Sequence, residues 1–285
     1  VCPISADAES VNDVHDSSES SVGECRYPLF DSHAHLDDAC FDPDREAMFA
    51  RARAAGVTRF LVPGVHPRDW ARVVALRARD ASVRVALGVH PHALTALTPE
   101  ALSAAIDALP GALREASASA VGEVGLDGLV ARRDGVSLDA QIAVLDAHVE
   151  IARALALPLV LHVVRAHEAA LRALARHGPL RGVVHAYSGP AELVPAYLAR
   201  GLHLGFGGLV TRANSHKAHR AVRAIPRQRL LLETDAPSQA PAGADNARAE
   251  PAQLPLTLAA MAALRGESRD ALAEATTKSA EALFG

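Results

Sequence analysis

From Leu29 onward, short apolar, β-branched runs alternate with Ala-, Leu- and Arg-rich segments whose apolar positions recur at helical spacing. Eight runs read as strands: "LFDSH", "VTRFLVPG" from Val57, "VRVALGVHP" from Val83, "SAVGEVGLD" from Ser119, "LPLVLHV" from Leu157, "GVVHAYSG" from Gly182, "LHLGFGG" from Leu202 and "RLLLETDAP" from Arg229. Helices are expected between them, at about 43–55, 68–80, 99–116, 138–156, 166–177, 190–200 and 214–225, with more after Pro251. Eightfold alternation of this kind predicts an α/β chain folded as a (β/α)8 TIM barrel. The 285 residues, 49% of them hydrophobic, are enough to fill one such core.

Polar residues interrupt the pattern at one recurring place. His33, His35, His90, Glu123, His162, His185 and Asp235 each fall at the C-terminal end of an apolar run. In a barrel those ends share one rim, the face on which active sites are built. His33 and His35 are two residues apart in an extended segment, so both project to the same side and form a bidentate clip for a cation. His90 has two readings, a core histidine satisfied by one hydrogen bond or a contact to substrate.

Convergence of these groups predicts a site for two divalent metal ions. With Glu123 giving one oxygen to each, His33, His35 and Asp235 complete one ligand set, and His162 and His185 the other. Mixed imidazole and carboxylate ligands suit Zn, Mn or Co, and Mg where waters complete an octahedron. Paired ions lower the pKa of a shared water and neutralise charge on a reacting phosphate, which fits phosphodiester hydrolysis. Asp235 is the candidate proton acceptor, unless "TDAPS" merely places it as the cap of a following helix. Catalysis is therefore assigned to Asp235 and Glu123.

Composition narrows the partners. A net charge of -4 argues against a surface coated for indiscriminate nucleic-acid binding. An anionic substrate would need local cations, and the segment "GFGGLVTRANSHKAHR" offers Arg212, Lys217 and Arg220 beside glycines that permit close backbone approach. Arg212, Lys217 and Arg248, together with His90, are the expected substrate contacts. Aromatic content is 4%, too low for an extended base-stacking platform. Cys2, Cys25 and Cys40 lack zinc-like spacing and do not form a disulfide scaffold, pointing to a reducing, cytoplasmic setting. Residues 1–28 are rich in Ser, Asp and Glu and read as a disordered acidic tail without signal-peptide character, leaving 29–285 as the barrel. No apolar run reaches transmembrane length, and no obligate protein partner is evident.

The motifs "DSHAHL", "AVGEVGLD", "LPLVLHV", "GVVHAYSG" and "LLLETDAP", in this order, resemble the TatD family of metal-dependent deoxyribonucleases within the amidohydrolase superfamily. The resemblance runs to the closing "ATTKSAEALFG". It implies the same two ligand sets, a bridging Glu123, an Asp235 that both binds metal and accepts a proton, DNA as substrate, and 3'-5' exonuclease action. Three departures stand beside the motifs. Gly128 follows Asp127 where many members have Tyr; Val164 and Arg165 stand where many have Arg-Asp; and Arg248-Ala249-Glu250 stands before Pro251 where Arg is usually followed by Asn-Glu. The alternatives are a small-molecule amide or ester hydrolase or deaminase on the same kind of barrel, and a noncatalytic binding barrel. Bridging by a carbamylated lysine is not available, because Glu123 occupies the fourth-strand position.

Overall fold

In the computed structural model, which describes residues 26–244 and 248–285, every expected run becomes a strand. The order is β1 (Leu29–Asp31), α1 (Arg45–Ala54), β2 (Val57–Gly64), α2 (Trp70–Arg79), β3 (Val83–Leu87), α3 (Pro99–Glu115), β4 (Ala120–Asp127), α4 (Gly128–Arg133), α5 (Leu138–Ala154), β5 (Leu159–Val164), α6 (His167–Ala175), β6 (Gly182–Val184), α7 (Val194–Ala199), β7 (Leu202–Phe206), α8 (His216–Ala224), β8 (Leu230–Leu232), α9 (Leu254–Arg265) and α10 (Arg269–Phe284). The strands pair in parallel in sequence order from β1 to β8. The α4 helix was not expected. It is a six-residue turn started by the Asp127 carboxylate, which accepts from Leu129 N at 2.6 Å and Val130 N at 3.2 Å.

Between β8 and β1 the ring is joined just beyond the strands. Ser32 N donates to Leu232 O at 3.0 Å and Asp235 N to His33 O at 2.9 Å. Asp31, fully buried, accepts from Thr234 N at 3.0 Å and Thr234 Oγ1 at 2.6 Å. This seam brings the His33 and Asp235 segments together.

Two apolar layers follow from the period of two along each strand. One face of the strands packs against the surrounding helices in the main core. The other contributes Phe30, Leu61, Ala86, Ala120, Val160, Val183 and Leu231 to a second cluster, which is completed by Ala280, Leu283 and Phe284 of α10. Side chains thus fill the barrel from within. Helix ends obey local chemistry: Thr98 caps α3, Ser137 caps α5, Ser268 caps α10, and Gly266 ends α9 at φ +65°.

Of the segment read as an acidic tail, residues 1–25 lie outside the described residues. Arg26 N donates to Asp270 at 3.1 Å, Tyr27 packs on the core, and Pro28 O accepts from Thr277 Oγ1 at 3.0 Å. Among the described residues, no helix is long and apolar enough to cross a membrane.

Candidate metal centre

Glu123 points into the barrel mouth because β4 bulges there. Val121 pairs with Leu159 and Val124 with Leu161, so three steps on β4 match two on β5. Gly122 makes this possible: a Cβ on it would lie 2.4 Å from Val160 O. Gly88 at the end of β3 is equally constrained, since its Cβ would meet Glu123 O at 2.8 Å. The backbone around Glu123 is therefore held from both sides.

The two Glu123 oxygens address different groups. Oε2 lies 3.2 Å from His33 Nε2 and 3.5 Å from His35 Nε2. Oε1 lies 2.7 Å from His185 Nε2, 3.0 Å from His162 Nδ1 and 3.2 Å from His90 Nε2. Asp235 Oδ1 approaches His35 at 3.5 Å and His33 at 3.7 Å. The His33 and His185 rings stack at 3.8 Å between centroids, joining the two halves. All six predicted metal ligands therefore meet in one place. The capping alternative for Asp235 finds no helix to cap; Gln239 Nε2 donates to its Oδ2, and the residue sits at φ +55°, an uncommon conformation for a residue other than Gly.

The donor set fits divalent cations. His33 Nε2 and His35 Nε2 face each other at 3.3 Å, and His162 Nδ1 faces His185 Nε2 at 3.2 Å. Among the described residues, Glu123 Oε2 is buried with no hydrogen-bond partner, as are Nδ1 of His33 and of His185. A buried carboxylate oxygen without a donor is destabilising, and a shared cation would satisfy it. Three groupings each bring three potential ligand atoms within 4.8 Å of one another: His33, His185 and Asp235; His33, His35 and Glu123; and His90, Glu123 and His162.

Electrostatics divide the histidines. Burial pushes His33 and His90 down to about 4. Burial also opposes charge on His35 and His162, but carboxylates outweigh it and raise both to about 9: Asp235 and Glu123 for His35, Asp127 and Glu123 for His162. Burial alone would raise Glu123 and Asp235, yet the histidines around them hold Glu123 well below its usual range and lower Asp235. Protons and cations compete for the same imidazole lone pairs. Glu233, two residues before Asp235, is fully buried and pushed well above the carboxylate range by that burial; its Oε1 accepts from Ala186 N.

The remaining predicted contacts lie in different places. His90 joins the cluster; its Nδ1 accepts from His92 N at 3.1 Å, so Nε2 carries the proton and donates to Glu123. Arg212 is exposed and donates to Ala240 O at 3.4 Å, and Lys217 lines a neighbouring depression. Arg248 is committed elsewhere. It pairs with both oxygens of Asp44 at 2.9 and 2.8 Å, donates to Glu250 and lies over the Phe41 ring at 4.6 Å. Over the histidines opens a cavity of about 520 Å³, lined also by Asp37, Arg72 and His92.

Two supporting carboxylates escaped the sequence reading. Asp127 Oδ2 lies 3.1 Å from His162 Nε2, on the far side of the ring from Glu123. An acidic residue closing "AVGEVGLD" was the available signal. Asp31 opens the motif "DSHAHL", but nothing near it in the chain points to its partner Thr234.

Comparison with known proteins agrees with the motifs. The chain matches the family described as TatD related DNase over residues 30–285. It is 34% identical over 261 residues to the uncharacterized metal-dependent hydrolase YjjV of Escherichia coli K12, covering 91% of this chain and 98% of the relative. It is 35% identical over 266 residues to the 3'-5' ssDNA/RNA exonuclease TatD of Cronobacter sakazakii, covering 90% and 97%. The crystal structure of the E. coli YjjV TatD homologue superposes with a TM-score of 0.82 at 33% identity, covering 91% of this chain and 98% of that one. A TatD family hydrolase from Entamoeba histolytica, at 18% identity and covering 90% and 98%, shares the fold with a TM-score of 0.79.

Proposed function

Because this chain belongs to the TatD related DNase family, we propose that it is a divalent-metal-dependent nuclease that shortens single-stranded DNA or RNA from the 3' end. The observation that carries the reading is the division of Glu123, with one oxygen toward His33 and His35 and the other toward His162 and His185. A carboxylate shared in this way suits two ions held side by side.

On this reading His33, His35 and Asp235 would hold one ion, His162 and His185 would hold the other, and Glu123 would serve both sets. When bound, the ions supply Lewis-acid stabilisation of a phosphodiester and a water of lowered pKa. The protein's own groups do the rest. Asp235, kept ionised by its histidine neighbours, would accept the proton released by the attacking water, while the Gln239 amide fixes its Oδ2. His90, neutral at pH 7 and donating through Nε2, holds the Glu123 carboxylate in its shared orientation. Asp127 does the same for His162 from the opposite side of the ring.

The test is a time course on a 5'-labelled single-stranded oligonucleotide with Mg, Mn, Co or Zn added in turn. Loss of one nucleotide at a time from the 3' end is expected, with Glu123→Ala inactive and depleted of both ions by elemental analysis. Equal degradation by the variant, or none under any ion, would remove the nuclease reading and put small-molecule amide or ester hydrolysis in its place.

A further inference from the structure

Beside the metal centre lies a second depression of about 440 Å³, between the segments that follow β6 and β7 and the start of α8. It shares a wall with the centre. Ala186, which lines it, directly follows His185, and Gln239, which also lines it, donates to Asp235. Its floor is apolar: Tyr187, Phe206 and Val210 are buried, the two rings meeting edge to face at 5.9 Å. The Tyr187 hydroxyl donates to Pro190 O at 2.7 Å and both rings are almost wholly covered, so the floor offers an apolar surface and no free hydroxyl. At the rim, the side chains of Asn214 and Lys217 make no hydrogen bond or ion pair within the described residues.

We propose that this depression receives the base of a nucleotide flanking the scissile phosphate, a proposal that rests on the nuclease reading. Its size lies in the range of small-ligand sites. A nucleobase presents apolar faces and a polar edge, matching an apolar floor with unpaired donors at the rim. The anionic part of the same nucleotide would face the cations one residue away, across the wall formed by Ala186 and Gln239. The low aromatic content fits a single base subsite, not a platform for a long strand. A site that grips one base beside the reacting phosphate favours release of single nucleotides from an end.

The experiment compares three single-stranded oligonucleotides on the metal-loaded protein: intact, abasic at the 3'-terminal position, and abasic at the penultimate one. Covering one base on this apolar floor removes apolar surface from water, so one abasic strand should lose roughly 5-fold or more in kcat/KM. In Ala218→Trp, which fills the depression from α8, that ratio should fall to near unity, with bound metal confirming a folded protein. Should the variant not take up metal, Asn214→Ala, which removes an unpaired donor at the exposed rim, should shrink the ratio by about fivefold. Equal rates on all three strands in the wild type, or an undiminished ratio in the variants, overturns the base subsite while leaving the nuclease intact. Hydrolysis of bis(4-nitrophenyl) phosphate by the wild type with no cleavage of any strand overturns the nuclease reading, and the subsite with it.

Discussion

Asp127 works through both oxygens: Oδ1 caps α4 and Oδ2 meets His162 Nε2. Burial opposes its ionisation, but His162 and the backbone of Leu129 and Val130 hold it well below the usual carboxylate range. Orienting partners of this kind are worth about 10- to 100-fold in metal affinity. Asp127→Ala should therefore weaken one of the two ions by that factor in a metal titration, and lower stability by about 1 kcal/mol through the lost cap. Asp127→Asn should restore the cap but not the affinity. Full affinity in the Ala variant would make Asp127 a cap and nothing more.

At the scale of elements, α5 braces the ends of β3 and β4 from behind. Gln141 accepts from Asp127 N at 2.6 Å and donates to Asp127 O at 3.1 Å. One turn pair further on, fully buried His148 accepts from Val89 N through Nε2 at 3.1 Å, while Nδ1 lies 2.8 Å from Val144 O. Both nitrogens are in use only in the neutral ring, and burial lowers its pKa from 6.5 to about 4. The unfolded chain binds this proton more readily, so the contribution is complete above pH 6.5 and is lost as pH falls toward 4. Between pH 7 and pH 5 the loss should be about 2 kcal/mol in chemical denaturation. His148→Gln should flatten that part of the pH dependence; an unchanged profile would assign it to other groups.

For the whole molecule, a net charge of -4 means that a nucleic acid must be held by local cations and bound metal. Arg212 and Lys217 are available near the rim, whereas Arg248 is neutralised by Asp44 and Glu250. Each phosphate contact on a single strand contributes about -0.7 to the slope of log affinity against log salt. Changing Arg212 and Lys217 together to Ala should thus flatten the slope by about 1.4, read by anisotropy on an Asp235→Asn background so that the strand is held and not cut. Arg248→Ala should leave the slope unchanged. A flattened slope in Arg248→Ala would mean that its ion pairs open to admit phosphate.

The eight strands, their parallel order and the rim on which His33, His35, Glu123, His162, His185 and Asp235 stand were legible in the sequence, because period and strand-end polarity are local properties of the chain. The short α4 was not, since six residues begun by a side-chain cap carry too little periodicity to register. Which Glu123 oxygen faces which histidines depends on a bulge defined by pairing with β5, and the use of Arg248 depends on Asp44 meeting it across the fold. Asp31 is the sharpest case. Its meaning lies in Thr234, 203 residues away, and only closure of the barrel brings the two together. Sequence determined what each segment becomes; the tertiary structure decided which polar atoms meet, because a buried hydrogen bond is fixed by the register of strands distant in the chain.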